Sequence, residues 1–181
     1  MNPTETLHVP GDLTLLTPDG EPVRLATHLH RRYTVVQLVR YFGCLPCQEW
    51  LLELDRAADR FADLDTTVMA IGGSADYQAR WLRDERGATL PMLLDPDQRF
   101  RDAVGAQQGL GRRLLDPRGM AAYAGSLRGG LRPQAITRDA TRSPGVVVLG
   151  PDGAVHWRHI GQRIGDYPSL DVVLRSVGSL V

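Results

Sequence analysis

The apolar and polar positions change period along the chain. Tyr33-Thr34-Val35-Val36-Gln37-Leu38-Val39 is β-branched and apolar enough for a buried strand, as a parallel sheet requires. Immediately downstream, Cys47, Leu51, Leu54, Ala58 and Phe61 recur at intervals of four and three, the inward stripe of a helix. Before this strand, Leu13 to Thr17 and Val23 to Leu25 flank Pro18-Asp19-Gly20 and predict a hairpin. After the helix, Thr67 to Ile71 predicts a strand running into Gly72-Gly73. Ser74 is then placed to cap a helix over 75–85 with Tyr77, Trp81 and Leu82 inward. Leu90 to Leu94 follows as a strand set near a sheet edge by Pro91, and Asp95-Pro96-Asp97 as the start of a helix running through Val104. Those acids have a complete structural explanation as helix caps.

Periodicity then fades over residues 105–143, where only a short helix over Met120 to Leu127 is expected. Such a long irregular connection in a compact domain is usually functional or mobile. Regularity returns with Val146 to Leu149, the turn Gly150-Pro151-Asp152-Gly153, a strand from Ala154 to Ile160 and a closing helix from Ser169 to Val177. A chain of 181 residues with this order is expected to be a single domain.

Charge sharpens this picture at one place. The formal net charge is zero, which argues against nucleic acid or an acidic membrane surface as a partner. Yet the irregular segment holds seven arginines against two aspartates, a net +5 balanced by −5 elsewhere. Arg138 and Arg142 within it are candidate substrate-binding residues, because arginine forks hold carboxylates and similar anions. The competing reading is a solvated loop lying against its own acidic scaffold. All 21 basic residues are arginine, so Schiff-base chemistry through lysine is excluded. Hydrophobic and charged contents of 43% and 23% are those of an ordinary globular chain. Met1 to Gly11 lacks the basic and apolar regions of a secretory signal, and no apolar run approaches membrane-spanning length, so a cytoplasmic location is expected.

The chemistry concentrates at Arg40-Tyr41-Phe42-Gly43-Cys44-Leu45-Pro46-Cys47, which carries the only two cysteines at C-x-x-C spacing where a strand turns into a helix. Unpaired N–H groups and the positive end of the helix dipole favour a thiolate there. Cys44 is the expected nucleophile and Cys47, on the buried stripe, the resolving thiol. Pro46 in the first helical turn stiffens the loop. Two packed cysteines or half of a zinc site are the alternatives; in a reducing compartment a close pair is more often catalytic or redox-sensing. His28 and His30 have no cysteine or carboxylate beside them in sequence, and His156 and His159 alternate across a strand, so no metal or other cofactor is expected.

Taken with Leu93-Leu94-Asp95-Pro96-Asp97, Pro144-Gly145-Val146-Val147-Val148-Leu149 and Asp152-Gly153, the cysteine segment resembles the AhpC/TSA-type peroxiredoxin-like proteins that carry an R-x-F-G-C-x-x-C signature. The resemblance spans about residues 10 to 178, less the insertion. It implies an α/β thioredoxin-like fold: a central mixed sheet flanked by helices, with an N-terminal hairpin and the insertion as elaborations. It further implies that Cys44 and Cys47 cycle between dithiol and disulfide and that an external thiol, thioredoxin-like or of low molecular weight, restores the dithiol. Pro144 matches the family's cis-proline, making Ser143–Pro144 the expected cis bond, while Arg40 and Arg142 are the cations expected to favour the thiolate and Gly43 supports the loop. The sequence departs from typical peroxiredoxins in having Tyr41 three residues before Cys44, and Cys44 three before Cys47, where a threonine or serine is usual. The expected activity is therefore thiol–disulfide oxidoreduction of a disulfide or other two-electron acceptor. The alternatives are a thiol peroxidase acting on an organic hydroperoxide or endoperoxide, and a non-catalytic redox-sensing or binding module.

Overall fold

The structure, a computed structural model, describes residues 7–73 and 75–181. Seven strands form one mixed sheet: β1 (Thr14–Leu16), β2 (Pro22–Arg24), β3 (Tyr33–Leu38), β4 (Thr66–Gly72), β5 (Met92–Leu94), β6 (Gly145–Leu149) and β7 (Val155–Ile160). Their spatial order is β2-β1-β5-β4-β3-β6-β7. The centre is parallel, β3 against β4 and β4 against β5, while β6 and β7 add antiparallel on one side and the β1/β2 hairpin on the other. Among the described residues the α-helices are α1 (Leu45–Arg56), α2 (Ala58–Ala62), α3 (Asp76–Arg86), α4 (Arg99–Ala103), α5 (Pro117–Arg128) and α6 (Leu170–Gly178).

Every residue of β3 is buried, and alternate side chains serve two cores, as the pleat dictates. Val35, Ala70, Val146 and Val148 face a layer built from Leu51 and Leu54 of α1, Phe61 of α2, Leu82 of α3 and Val173 of α6. Val36, Leu38, Met69, Ile71, Val147 and Leu149 face the hairpin residues Leu13 and Leu15 together with Phe100. Cys44 and Cys47 belong to the first layer, at the C-terminal end of β3.

Several details differ from the sequence expectation. β5 lies inside the sheet, between β1 and β4; Pro91 precedes the strand, and its carbonyl accepts the Ala70 N–H. A proline just outside a strand costs no ladder bond, so it does not force an edge. The helix after the cysteines is two segments, because the backbone bends at Ala57 (φ −93°, ψ 4°) and thereby carries Phe61 into the core. On α3 the inward residues are Gln78, Ala79 and Leu82, while Tyr77 is exposed, since the Gln78 amide finds buried partners and takes the inward place. The expected cap at Ser74 lies outside the described residues. Asp95 does cap α4, its carboxylate accepting from the Arg99, Phe100 and Arg101 N–H groups, but across an intervening turn in which Gln98 has φ 60°.

The insertion is more regular than its composition suggests. Asp116 accepts from the N–H groups of Arg118 and Gly119, Pro117 sits in the first turn, and α5 runs three turns rather than the shorter helix expected. It packs on α1, where the Ser126 hydroxyl donates to Glu49 at 2.6 Å. Short 3-10 turns at Gly111–Leu115 and Arg138–Thr141 flank it. The path back into β6 corrects another expectation. No peptide bond in the described residues is cis, Ser143–Pro144 included. In the trans form the Ser143 carbonyl accepts from Arg101 at 2.7 Å and the Pro144 carbonyl from Gly161 at 2.8 Å. Trans is already the favoured state of a prolyl bond by about 0.5–1 kcal/mol, and no polar group asks for the alternative.

Candidate active site

Cys44 is the N-cap of α1, with extended backbone (φ −71°, ψ 120°), and its carbonyl accepts the first helical bond from Gln48 at 2.9 Å. Leu45 and Pro46 open the helix, and Cys47 completes its first turn. Both thiols are free and both residues are 0% exposed. The Arg40 guanidinium, 3% exposed, donates to Cys44 Sγ at 3.4 Å from one terminal nitrogen and to the Ala140 carbonyl from the other. Gln37 of β3 donates to the Cys47 carbonyl at 3.0 Å, tying the helix turn to the sheet.

The two sulfurs titrate as a pair. Burial alone pushes the Cys47 thiol up. The hydrogen bond from Cys44, the charge of Arg40, the Tyr167 hydroxyl and the Arg40 backbone N–H outweigh it and bring Cys47 to about 6. Burial, and then the neighbouring Cys47, hold Cys44 well above its ordinary value. The first proton therefore leaves the pair easily and the second with difficulty. The sequence expectation gave the larger thiolate preference to Cys44 from helix position alone. In the folded protein Tyr167, contributed from far along the chain, weights the resting charge toward Cys47.

The surroundings of the sulfurs are unequal. Tyr41 and Tyr123 lie on the Cys44 side: burial first, then charge on Cys44, raises both phenols. Tyr167 lies on the Cys47 side; its hydroxyl donates to the Leu38 carbonyl at 3.1 Å, and its ring stacks on Trp50 with centroids 5.0 Å apart. Above the Cys44 side opens a cavity of about 500 Å³, walled by Arg40 and Tyr41 from the cysteine loop, Leu114, Met120, Tyr123 and Ile136 from the insertion, and Ile164. Its surface is mainly apolar, and none of the insertion's seven arginines lines it.

Of the residues expected from sequence, the fold brings together Cys44, Cys47, Arg40, Gly43 and Pro46. Pro144 lies at the entry to β6, its ring close to Gly161. Arg138 and Arg142 border a separate hollow with Pro96, Asp97, Gln98 and Asp139; Arg138 donates to the Pro96 carbonyl at 2.9 Å, and Arg142 reaches the Gln107 carbonyl at 3.4 Å. His159 is held by the Asp166 carbonyl at 3.0 Å. Three further residues build the site without announcing themselves in sequence. Arg101, 3% exposed, donates to the Val39 and Ser143 carbonyls at 2.6 and 2.7 Å and so joins the end of β3 to the start of β6. Gln78 accepts from the Gly43 N–H, and Tyr167 bonds a strand 129 positions away. Only Gln78 left a signal, an amide in step with Ala79 and Leu82 on a helix.

Comparison with known proteins agrees with this geometry. Residues 8–158 match the model of the AhpC/TSA family. Proteins called peroxiredoxin-like 2C from Bos taurus and Homo sapiens are each 24% identical over 179 residues, covering 92% of this chain and 77% and 78% of theirs. Among solved structures, the bacterioferritin comigratory protein of Xanthomonas campestris, described for alkyl peroxide reduction, superposes with a TM-score of 0.67 at 13% identity over 94% of this chain and 92% of its own. Peroxidoxin BcpB of Mycobacterium tuberculosis does so with a TM-score of 0.67 at 18% identity over 97% of both chains. At such identities these structures speak for the fold alone. With the family match covering most of the chain and a cysteine pair at the end of the central strand, this protein belongs to the AhpC/TSA family of thioredoxin-fold, thiol-dependent oxidoreductases.

Proposed function

We propose that the protein reduces a small organic hydroperoxide through a Cys44/Cys47 dithiol–disulfide cycle. The observation that carries this reading is the enclosure of both sulfurs beside an apolar cavity whose walls include Arg40, Tyr41 and Tyr123, the neighbours of Cys44. The cavity has the size and apolar lining for a small organic molecule rather than for a folded protein's disulfide, and it lies against Arg40 and Tyr41, the neighbours of Cys44. The alkyl peroxide reduction described for the Xanthomonas campestris relative agrees with this choice.

In the monothiolate pair one proton is shared between the sulfurs. When that proton sits on Cys47, the Cys44 thiolate attacks the distal peroxide oxygen. The O–O bond breaks, Cys44 becomes a sulfenic acid, and the alkoxide takes the proton from Cys47 and leaves as an alcohol. The Cys47 thiolate then attacks the Cys44 sulfur, closing the disulfide and expelling hydroxide, which solvent protonates. Two external thiols return the disulfide to dithiol. Arg40 stands where it stabilises the Cys44 thiolate. A resting dithiol needs a reducing compartment, which points to the cytoplasm, with a thioredoxin-like or low-molecular-weight thiol as reductant.

Stopped-flow mixing of the reduced protein with cumene hydroperoxide, hydrogen peroxide and a small disulfide, followed through Trp50 beside the pair, tests the reading. Fastest oxidation by cumene hydroperoxide is expected. It should be lost in Cys44→Ser and should accumulate sulfenic acid in Cys47→Ser. Preference for the disulfide, or an unaffected Cys44→Ser variant, overturns it.

A further inference from the structure

Gln78 lies on α3, outside both the C-x-x-C motif and the insertion, yet it touches both. Its Oε1 accepts the Gly43 N–H at 2.9 Å, 35 positions back in the chain, and its Nε2 donates to the Ala135 carbonyl at 2.7 Å, 57 positions ahead. Gln78 is 0% exposed. The arrangement is tight: a methyl group built on Gly43 would stand 2.6 Å from Gln78 Nε2 and 2.9 Å from Gln134 Cβ. Glycine at that position is what lets the amide approach the backbone. Gly43 precedes Cys44, and Ala135 precedes Ile136, which forms part of the cavity wall. One amide thus fixes the backbone beside the thiol and the backbone beside the apolar wall.

We propose that Gln78 is a positioning residue that couples closure of the insertion to the geometry of the cysteine loop, so that the cavity and the reactive pair form together. The idea rests on the peroxidase reading only for its kinetic consequence; the coupling itself is a property of the fold. The Gly43 bond is buried, where an unmade bond is costly, and the Ala135 bond is partly buried at the edge of the insertion. Losing Gln78 therefore frees both segments, not one.

Two substitutions separate the coupling from mere packing. Gln78→Met keeps length and removes both bonds. Gln78→Glu keeps the acceptor for Gly43 at every pH, but it donates to Ala135 only when protonated; as a carboxylate it repels that carbonyl.

Backbone nitrogen-15 relaxation of the whole reduced protein reads the mobility of both segments without reference to any substrate. In Gln78→Met, order parameters over 41–45 and over 131–137 should each fall from about 0.85 toward about 0.6. In Gln78→Glu, order parameters over 131–137 should match the wild type at acid pH and fall as the carboxyl ionises. Alongside, kcat/KM of Gln78→Met should fall about tenfold or more for cumene hydroperoxide, mostly through KM, and far less for hydrogen peroxide, which does not need the wall. Order parameters that fall in one segment only overturn the proposal. So does a Gln78→Glu variant whose 131–137 mobility ignores pH; because that comparison is made within one folded variant, it decides even if Gln78→Met does not fold. Should the relaxation pattern hold while no peroxide is reduced, the coupling stands and the peroxidase reading falls.

Discussion

Arg40 reaches the Cys44 sulfur at 3.4 Å with one arm of its guanidinium while the other holds the Ala140 carbonyl, so a single side chain binds the reactive loop to the end of the insertion. A planar fork is needed for this, and lysine has none. Arg40→Lys is expected to retain part of the thiolate stabilisation but slow oxidation by cumene hydroperoxide about tenfold, and Arg40→Met to slow it about a hundredfold, a loss of one charge-assisted contact near the sulfur. Stopped-flow rates at fixed pH check both; equal rates in the two variants would remove the fork from the account.

The thiol pair makes a pH prediction. Cys47 is brought to about 6, below an ordinary cysteine, so thiolate absorbance near 240 nm should rise through pH 6 with an amplitude of one thiolate. The second proton, held by burial and by the first charge, should stay on well above the ordinary range. For stability, a lowered folded value favours the native state most above the unfolded value. That contribution declines as pH falls from the ordinary cysteine range and is gone below about 6. Denaturant titrations of the reduced protein at pH 5 and pH 8, compared with Cys47→Ser, measure this difference.

Tyr167→Phe removes the hydroxyl beside Cys47 while leaving the ring on Trp50. The first thiolate titration should move up, and oxidation at pH 6 should slow more than at pH 8. Near-ultraviolet circular dichroism should stay close to wild type, because the aromatic stack persists. A pH profile identical to wild type would show that the hydroxyl serves only the Leu38 carbonyl.

Asp116→Ala deletes the cap of α5, which accepts two N–H groups at the helix start. A cap of this kind contributes about 1 kcal/mol, and the loss falls on the element that carries Met120 and Tyr123 into the cavity wall. Urea unfolding should show that decrement. KM for an apolar hydroperoxide should rise more than KM for hydrogen peroxide.

Much of the fold is local in origin, and so was legible. Continuous β-branched and apolar runs gave β3, β4 and β6, an apolar stripe at intervals of four and three gave α1, and Pro18-Asp19-Gly20 and Gly150 to Gly153 marked both hairpins. The reactive pair announced itself by spacing at a strand-to-helix junction. What failed was decided by partners remote in sequence. Pro91 suggested an edge, but β1 pairs beyond β5 at Leu16 and Leu94. Tyr77 looked like a core residue, but the bonds available to Gln78 took the inward place. Ser143–Pro144 is trans, with the Ser143 carbonyl accepting from Arg101 and the Pro144 carbonyl from Gly161.

By itself, then, the sequence determined the elements, the family and the two sulfurs, since propensity, periodicity and motif spacing act over a few residues. Tertiary structure alone decided where the insertion lies, why its arginines stand away from the cavity while its apolar side chains line it, and why the surroundings of the two sulfurs are unequal. Those outcomes depend on burial and on contacts such as Tyr167 with Cys47 and Gln78 with Gly43 and Ala135, which exist only once distant parts of the chain are packed together.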